Sequence, residues 1–163
     1  MTIASAFDAP IVRVAVAPDD LGALASLMSE LGYPVTPTAL ASRLQKMPAA
    51  HRTFVAEVEG VVAGFVACSA LQTYESDIPV CWIMALSVAY RFRRRGVGRA
   101  LLQRVESWCV DEGYSDIRVH SGEQRRDAHA FYEACGFKHT GRRFKRSLIT
   151  PKKISPKLIN VTI

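Results

Sequence analysis

Apolar and polar positions alternate clearly at the start of the chain. Val12, Val14 and Val16 interleave with Arg13, Ala15 and Ala17, which predicts a first strand. Pro18, Asp19 and Asp20 then open a helix whose apolar face is Leu21, Leu24, Ala25, Met28 and Leu31, and Gly32 ends it. Thr36 followed by Pro37 is a cap and a first-turn proline. Leu40, Leu44 and Met47 give this second helix its apolar face, and Pro48 closes it. Thr53 to Val58 reads as a strand, Glu59-Gly60 as a hairpin turn and Val61 to Ala70 as the returning strand. A polar loop spans Gln72 to Pro79. Val80 to Val88 is the most apolar stretch and predicts a central strand buried on both faces.

The helical period resumes after residue 96. Val97, Leu101, Val105, Trp108 and Cys109 share one side of a long helix that Gly113 ends. Ile117 and Val119 mark a short strand. Ala128, Phe131, Tyr132 and Cys135 stripe a last helix, stopped by Gly136. Phe137 to His139 and Phe144 to Leu148 are predicted as final strands. The order β-α-α-β-β-β-α-β-α-β-β implies an α/β fold, a mixed sheet with helices on both faces.

Composition narrows the class. The chain has 163 residues, suited to one domain able to bury a core without disulfides or metal. Cys68, Cys81, Cys109 and Cys135 lie in apolar segments, with no C-x-x-C pair and no zinc spacing, so they read as reduced thiols of a reducing, cytoplasmic compartment. Met1 to Ala9 lacks the basic start and apolar run of a secretory signal. No apolar stretch reaches the roughly 18 to 20 residues of a membrane helix. The net charge of +6 invites an anionic partner, either nucleic acid or a phosphorylated small molecule.

Where that charge sits matters more than its sum. Leu86-Ser87-Val88 leads into Arg91, Arg93, Arg94, Arg95, Gly96, Val97, Gly98 and Arg99, and then into the amphipathic helix. Glycines at 96 and 98 let the backbone turn sharply and approach a ligand. The first N–H groups of a helix have no internal partners and, with the helix dipole, form an anion site. Guanidinium groups fork onto phosphate oxygens. The segment is therefore built to hold a phosphate or pyrophosphate. A P-loop is excluded because Gly-Lys-Ser/Thr is missing, and a dinucleotide fingerprint is opposed by Leu101 where a third glycine belongs.

The segment resembles the acetyl-CoA signature of the GCN5-related N-acetyltransferases (GNAT), Q/R-x-x-G-x-G/A, met by Arg93, Gly96 and Gly98. A second hallmark of that family follows in Ala128-His129-Ala130-Phe131-Tyr132-Glu133-Ala134-Cys135-Gly136-Phe137. The resemblance implies a mostly antiparallel mixed sheet of six to seven strands in one domain over 1–149. It also implies an acetyltransferase that moves the acetyl group of acetyl-CoA, a co-substrate, to a primary amine of a small molecule or peptide, with no metal. By the same resemblance the pantetheine arm binds along Leu86, Ser87 and Val88. The pyrophosphate lies on Arg93, Arg94, Arg95, Gly96, Val97, Gly98 and Arg99, and Phe131 lines the cofactor groove. An N–H at Leu86 polarises the acetyl carbonyl, and Tyr132 is the general acid. Tyr132 also lies on the apolar stripe, and packing is the competing account of it. Arg125 stands where many relatives carry an asparagine that helps bind the pantetheine arm.

The general base is less legible. Glu75, Asp77 and His120 flank the central strands, and Glu75 is the residue taken forward. Glu75 and Asp77 would also attract a cationic amine. The segment 150–163 reads as an extension beyond the domain, either pairing subunits into a homodimer or loosely ordered. Two rival functions remain, a non-catalytic acetyl-CoA-binding module and a basic nucleic-acid-binding domain. The leading reading expects neither a nucleic-acid nor a membrane partner.

Overall fold

The computed structural model describes residues 9–148. The elements are β1 (Ile11–Val14), α1 (Leu21–Glu30), α2 (Pro37–Leu44), β2 (His51–Val58), β3 (Val61–Leu71), β4 (Val80–Val88), α3 (Val97–Glu112), β5 (Ile117–Val119) and α4 (Arg126–Ala134), with a turn of 3-10 helix at Tyr90–Phe92. The strands form one five-stranded sheet in the order β1-β2-β3-β4-β5. Neighbours are antiparallel from β1 to β4, and β5 runs parallel to β4. This is a mixed α/β architecture with a mostly antiparallel sheet.

Local chemistry sets the element ends. Thr36 accepts a hydrogen bond from the Ala39 N–H at 3.2 Å, and Pro37 follows it at the first helical position. Glu59 and Gly60 both take positive φ, 54° and 73°, which matches the twist of a two-residue hairpin. α2 stops at Leu44 rather than reaching Met47, because Lys46 and Met47 bond back to Arg43 and Leu44 in a tightened last turn.

Alternation along β2 builds a core on each face. Phe54 and Ala56 face α3 with Val66, Cys68, Cys81, Ile83, Leu101, Val105 and Trp108. Val55 faces the other way, with Leu24, Leu27, Leu40 and Phe65. The four cysteines are free, and Cys68, Cys81 and Cys109 are buried.

Two sequence expectations change. β4 is not covered on both faces along its length: Met84 is 62% exposed. α1 and α2 cover β2 and β3 but leave Trp82 and Met84 open. The strands expected at 137–139 and 144–148 are absent among the described residues, so the sheet has five strands rather than six or seven. Phe137 joins the core, but Phe144 and Leu148 are 90% and 88% exposed. Lys138, His139, Arg142, Arg143, Lys145 and Arg146 leave that stretch without an apolar face to bury. The boundary at 149 and the extension at 150–163 lie outside the described residues.

Candidate active site

The site begins where β4 loses a neighbour. β5 pairs with β4 only through Cys81–Ile117, Trp82–Arg118 and Ile83–Val119. In the ladder with β3 the register jumps from Ile83 to Ala85, which makes Met84 the extra residue of a β-bulge. A bulge bends its strand and sharpens the local twist, and here it coincides with the point where β4 and β5 part. Beyond it the sheet is open on one side of β4.

Strand alternation decides which groups line that opening. The Ala89 N–H donates to the Ala63 carbonyl at 2.8 Å. Backbone groups alternate sides along an antiparallel strand, so Leu86 and Val88 turn theirs toward the gap left by β5. The Val88 carbonyl accepts Arg93 Nε at 3.1 Å. Among the described residues the Leu86 N–H and C=O and the Val88 N–H have no backbone partner on that side. Ser87 faces the opposite way: it is buried, and its Oγ donates to the Leu27 carbonyl of α1 at 3.2 Å. The Ser87 side chain therefore packs the fold and is not part of the groove.

The chain then turns into α3 through two left-handed residues. Arg94 has φ 64° and Gly96, the N-cap, φ 79°; no side chain caps the helix. Successive N–H groups in such a turn converge into an anion-binding concavity, and the uncapped helix start adds to it. Among the arginines, Arg93 is tied to Val88, Arg95 lies 3.6 Å from Glu59, and Arg99 donates to the Ala134 carbonyl of α4 at 3.3 Å. Arg91 and Arg94 are exposed, and neither forms a hydrogen bond or ion pair among the described residues. The Val97 side chain is buried in the core, so only its backbone faces the loop.

Gly98 places α4. A Cβ there would stand 3.0 Å from Phe131 Cζ, so the bare backbone is what lets the Phe131 ring rest on the first turn of α3. Tyr132 follows, partly buried, with its ring 5.4 Å from those of Phe131 and Phe137. Burial pushes its phenol up to about 12, against a smaller opposing pull from the Arg125 guanidinium. Its hydroxyl is therefore protonated at any physiological pH.

The residues proposed as base are spread out. Glu75 is exposed, in the loop before β4, and its own backbone N–H holds its carboxylate below the usual range. It precedes Val80 in the loop before β4, and Arg118 of β5 adds a smaller pull in the same direction. Asp77 shares that loop. His120 follows Val119 at the point where β5 leaves β4, and its ring lies 4.6 Å from that of Trp82.

Two features were not read from the sequence. Gly64 sits in β3 opposite Val88, where a Cβ would fall 2.8 Å from the Ser87 carbonyl and 3.2 Å from Val97. It lets α3 begin directly above the end of β4. Its signal was a lone glycine inside an apolar strand, which often marks close backbone approach. The bulge at Met84 left no mark in residue type. Among the described residues, no cluster of His, Cys, Asp or Glu could hold a metal ion, and no helix is long and apolar enough to cross a membrane.

Comparison with known proteins meets the same segment. The model of the acetyltransferase (GNAT) family matches residues 21–137. N-acetyltransferase family 8 member 2 of Rattus norvegicus is 33% identical over 96 residues, 58% of this chain and 42% of that protein. N-acetylaspartate synthetase of Homo sapiens is 35% identical over 88 residues, 54% of this chain and 28% of that protein. The chain thus spans less than half the length of either relative. Among solved structures, a GNAT family acetyltransferase of Staphylococcus aureus superposes with TM-score 0.73 at 22% identity, covering 86% of this chain and 100% of that one. AAC(6')-Iy in complex with a bisubstrate analogue, CoA-S-monomethyl-acetylneamine, gives TM-score 0.72 at 24% identity, with 86% and 99% covered. At these identities the likeness establishes the fold.

Proposed function

The chain belongs to the acetyltransferase (GNAT) family, and from that premise we propose that it transfers the acetyl group of acetyl-CoA to a primary amine of a small molecule or peptide, in a ternary complex. One observation carries the reading. Past Ile83, β4 keeps β3 on one side, leaves its other edge unpaired and delivers the chain into an uncapped helix start. An extended, amide-bearing arm ending in a pyrophosphate matches both halves of that surface.

The residues divide the work. Leu86 and Val88 pair with the amides of the pantetheine arm as an added strand would. The N–H groups from Arg94 to Arg99 hold the pyrophosphate, with the exposed Arg94 guanidinium at their start. Phe131 and Gly98 form the wall of the groove. The Leu86 N–H donates to the acetyl carbonyl and stabilises the oxyanion that forms when the amine attacks. The thioester C–S bond then breaks, the electron pair goes to sulfur, and Tyr132 offers its proton to the thiolate. A phenol held near 12 serves first as a hydrogen-bond donor to that sulfur.

Glu75 and His120 both stand as candidate bases. His120 lies at the parting of β4 and β5, and Glu75 in the loop before β4. Changing His120→Gln is expected to lower kcat/KM at neutral pH. The defect should shrink as the pH approaches the acceptor's own pKa, because more amine then arrives neutral. A pH-independent defect would argue against a base at this position.

The overall reading is tested by free-thiol release from acetyl-CoA across an amine library. Release that depends on both acetyl-CoA and an amine supports it. Acetyl-CoA binding without release for any amine would favour the non-catalytic module. A thermal shift with DNA, steeply weakened by salt, and none with acetyl-CoA would favour the nucleic-acid reading.

A further inference from the structure

Arg125 takes a course that the transfer reading does not use. It is the N-cap residue of α4, and its Nη2 donates to the Leu31 carbonyl, the C-cap of α1, at 2.8 Å across 94 residues of sequence. α4 packs on the α3 face of the sheet and α1 on the opposite face. The side chain therefore crosses the opening beyond the end of β5, where the cofactor arm and the acceptor must meet.

The guanidinium is partly buried and has no carboxylate partner among the described residues. The ion pairs among the described residues are Arg13 with Asp20 and Glu57, Arg95 with Glu59, and Arg118 with Asp116. Glu30, the acid nearest in sequence to Leu31, is occupied by the Tyr90 N–H at 3.0 Å. A guanidinium carries five N–H donors in a fixed fork suited to a carboxylate. Here a single neutral carbonyl is its hydrogen-bond partner. A partly buried guanidinium with donors left over is a ready partner for an anion.

The place of Arg125 limits what that anion is. Tyr132 lies seven positions on, two turns along the same helix face, and the guanidinium acts electrostatically on its hydroxyl. On the proposed pose this is the thioester end of the cofactor. The pantetheine arm is uncharged there, and the phosphates lie at the start of α3. The anion must then belong to the acceptor. We infer that Arg125, laid across the opening between α4 and the end of α1, binds a carboxylate of the acceptor, so that the substrate is an amino acid or a similar amine bearing an acidic group. This inference rests on the transfer reading above and makes the opposite choice to a polycationic acceptor drawn by Glu75 and Asp77.

The test compares α-amino acids with their carboxamides as acceptors, following free CoA release by the full chain. The free carboxylate is expected to be preferred by about 10- to 100-fold in kcat/KM. R125Q should erase that preference through the acceptor KM while leaving the acetyl-CoA KM unchanged, and R125K should keep part of it. Equal use of both acceptor forms by the unmutated protein would overturn the inference, whatever the variants do. It would equally be overturned if R125Q raised the acetyl-CoA KM, which would place the guanidinium on the cofactor arm. Failure of the unmutated chain to bind acetyl-CoA would sink the transfer reading itself, a result distinct from a transferase indifferent to the carboxylate.

Discussion

Tyr132 shows how far a single residue's role follows from its surroundings. The motif placed it on an apolar stripe, and the stripe explains its packing against Phe131 and Phe137. Its partly buried ring and raised phenol add what the motif lacked: a hydroxyl held in its protonated form beside Phe131. Tyr132→Phe keeps the ring and removes only the donor. Turnover should fall by about 100-fold with acetyl-CoA affinity unchanged. Unchanged turnover in a steady-state assay would reduce Tyr132 to packing. Arg93 and Ser87 gain partners that the motif did not show: Arg93 Nε donates to the Val88 carbonyl, and the buried Ser87 Oγ donates to the Leu27 carbonyl of α1. A sequence motif names positions, and only the backbone path decides which atoms at those positions face a ligand.

The elements were legible wherever a period or a cap spoke for them. Val80–Val88, the Glu59-Gly60 turn and the Thr36-Pro37 start all appear where alternation and turn chemistry put them. What escaped was pairing. Nothing in the run of apolar residues marks Met84 as a bulge or ends the β5 partnership at Ile83, because both depend on a strand far away in sequence. The expected last two strands failed for a related reason: single apolar residues among many cations give a ladder nothing to bury. Gly64 joins β3, β4 and α3 at one point. Gly64→Ala should cost about 1 to 3 kcal/mol in chemical denaturation, since the nearest obstacle is the Ser87 backbone carbonyl and not a side chain free to move. Gly98→Ala crowds the Phe131 ring and reaches Val88 only at ordinary contact distance, so it should weaken acetyl-CoA binding more than it weakens the fold; a calorimetric titration beside a melting curve separates the two. At Thr36, loss of the cap by Thr36→Ala should cost about 1 kcal/mol.

Across the whole molecule, charge and burial pull stability in a predictable direction with pH. The hydrogen bond with Cys109 lowers the Cys81 thiol, but the hydrogen bond with Cys68 and burial outweigh it and push Cys81 up to about 12. The hydrogen bond with Cys81, and then burial, push Cys109 up as well. The folded protein thus keeps protons that the unfolded chain gives up from about pH 8.5. Where the unfolded state binds fewer protons, stability falls as pH rises. The melting midpoint should therefore hold up to about pH 8.5 and drop above it; a flat midpoint up to pH 11 would contradict the buried thiol cluster. Asp20 acts at the other limit. The Arg13 guanidinium holds its carboxyl below the usual range, so its stabilising share is present above about pH 4 and is lost on further acidification.

At this same scale the central claim is that one continuous surface, from the freed edge of β4 to the first turn of α3, receives acetyl-CoA. Amide hydrogen exchange with and without saturating acetyl-CoA tests it most directly. The account predicts slowed exchange at Leu86 and Val88 and at the amides from Arg94 to Arg99, with β1 and α2 unaffected. Exchange unchanged at those amides, or protection confined to elements away from β4 and α3, would contradict it.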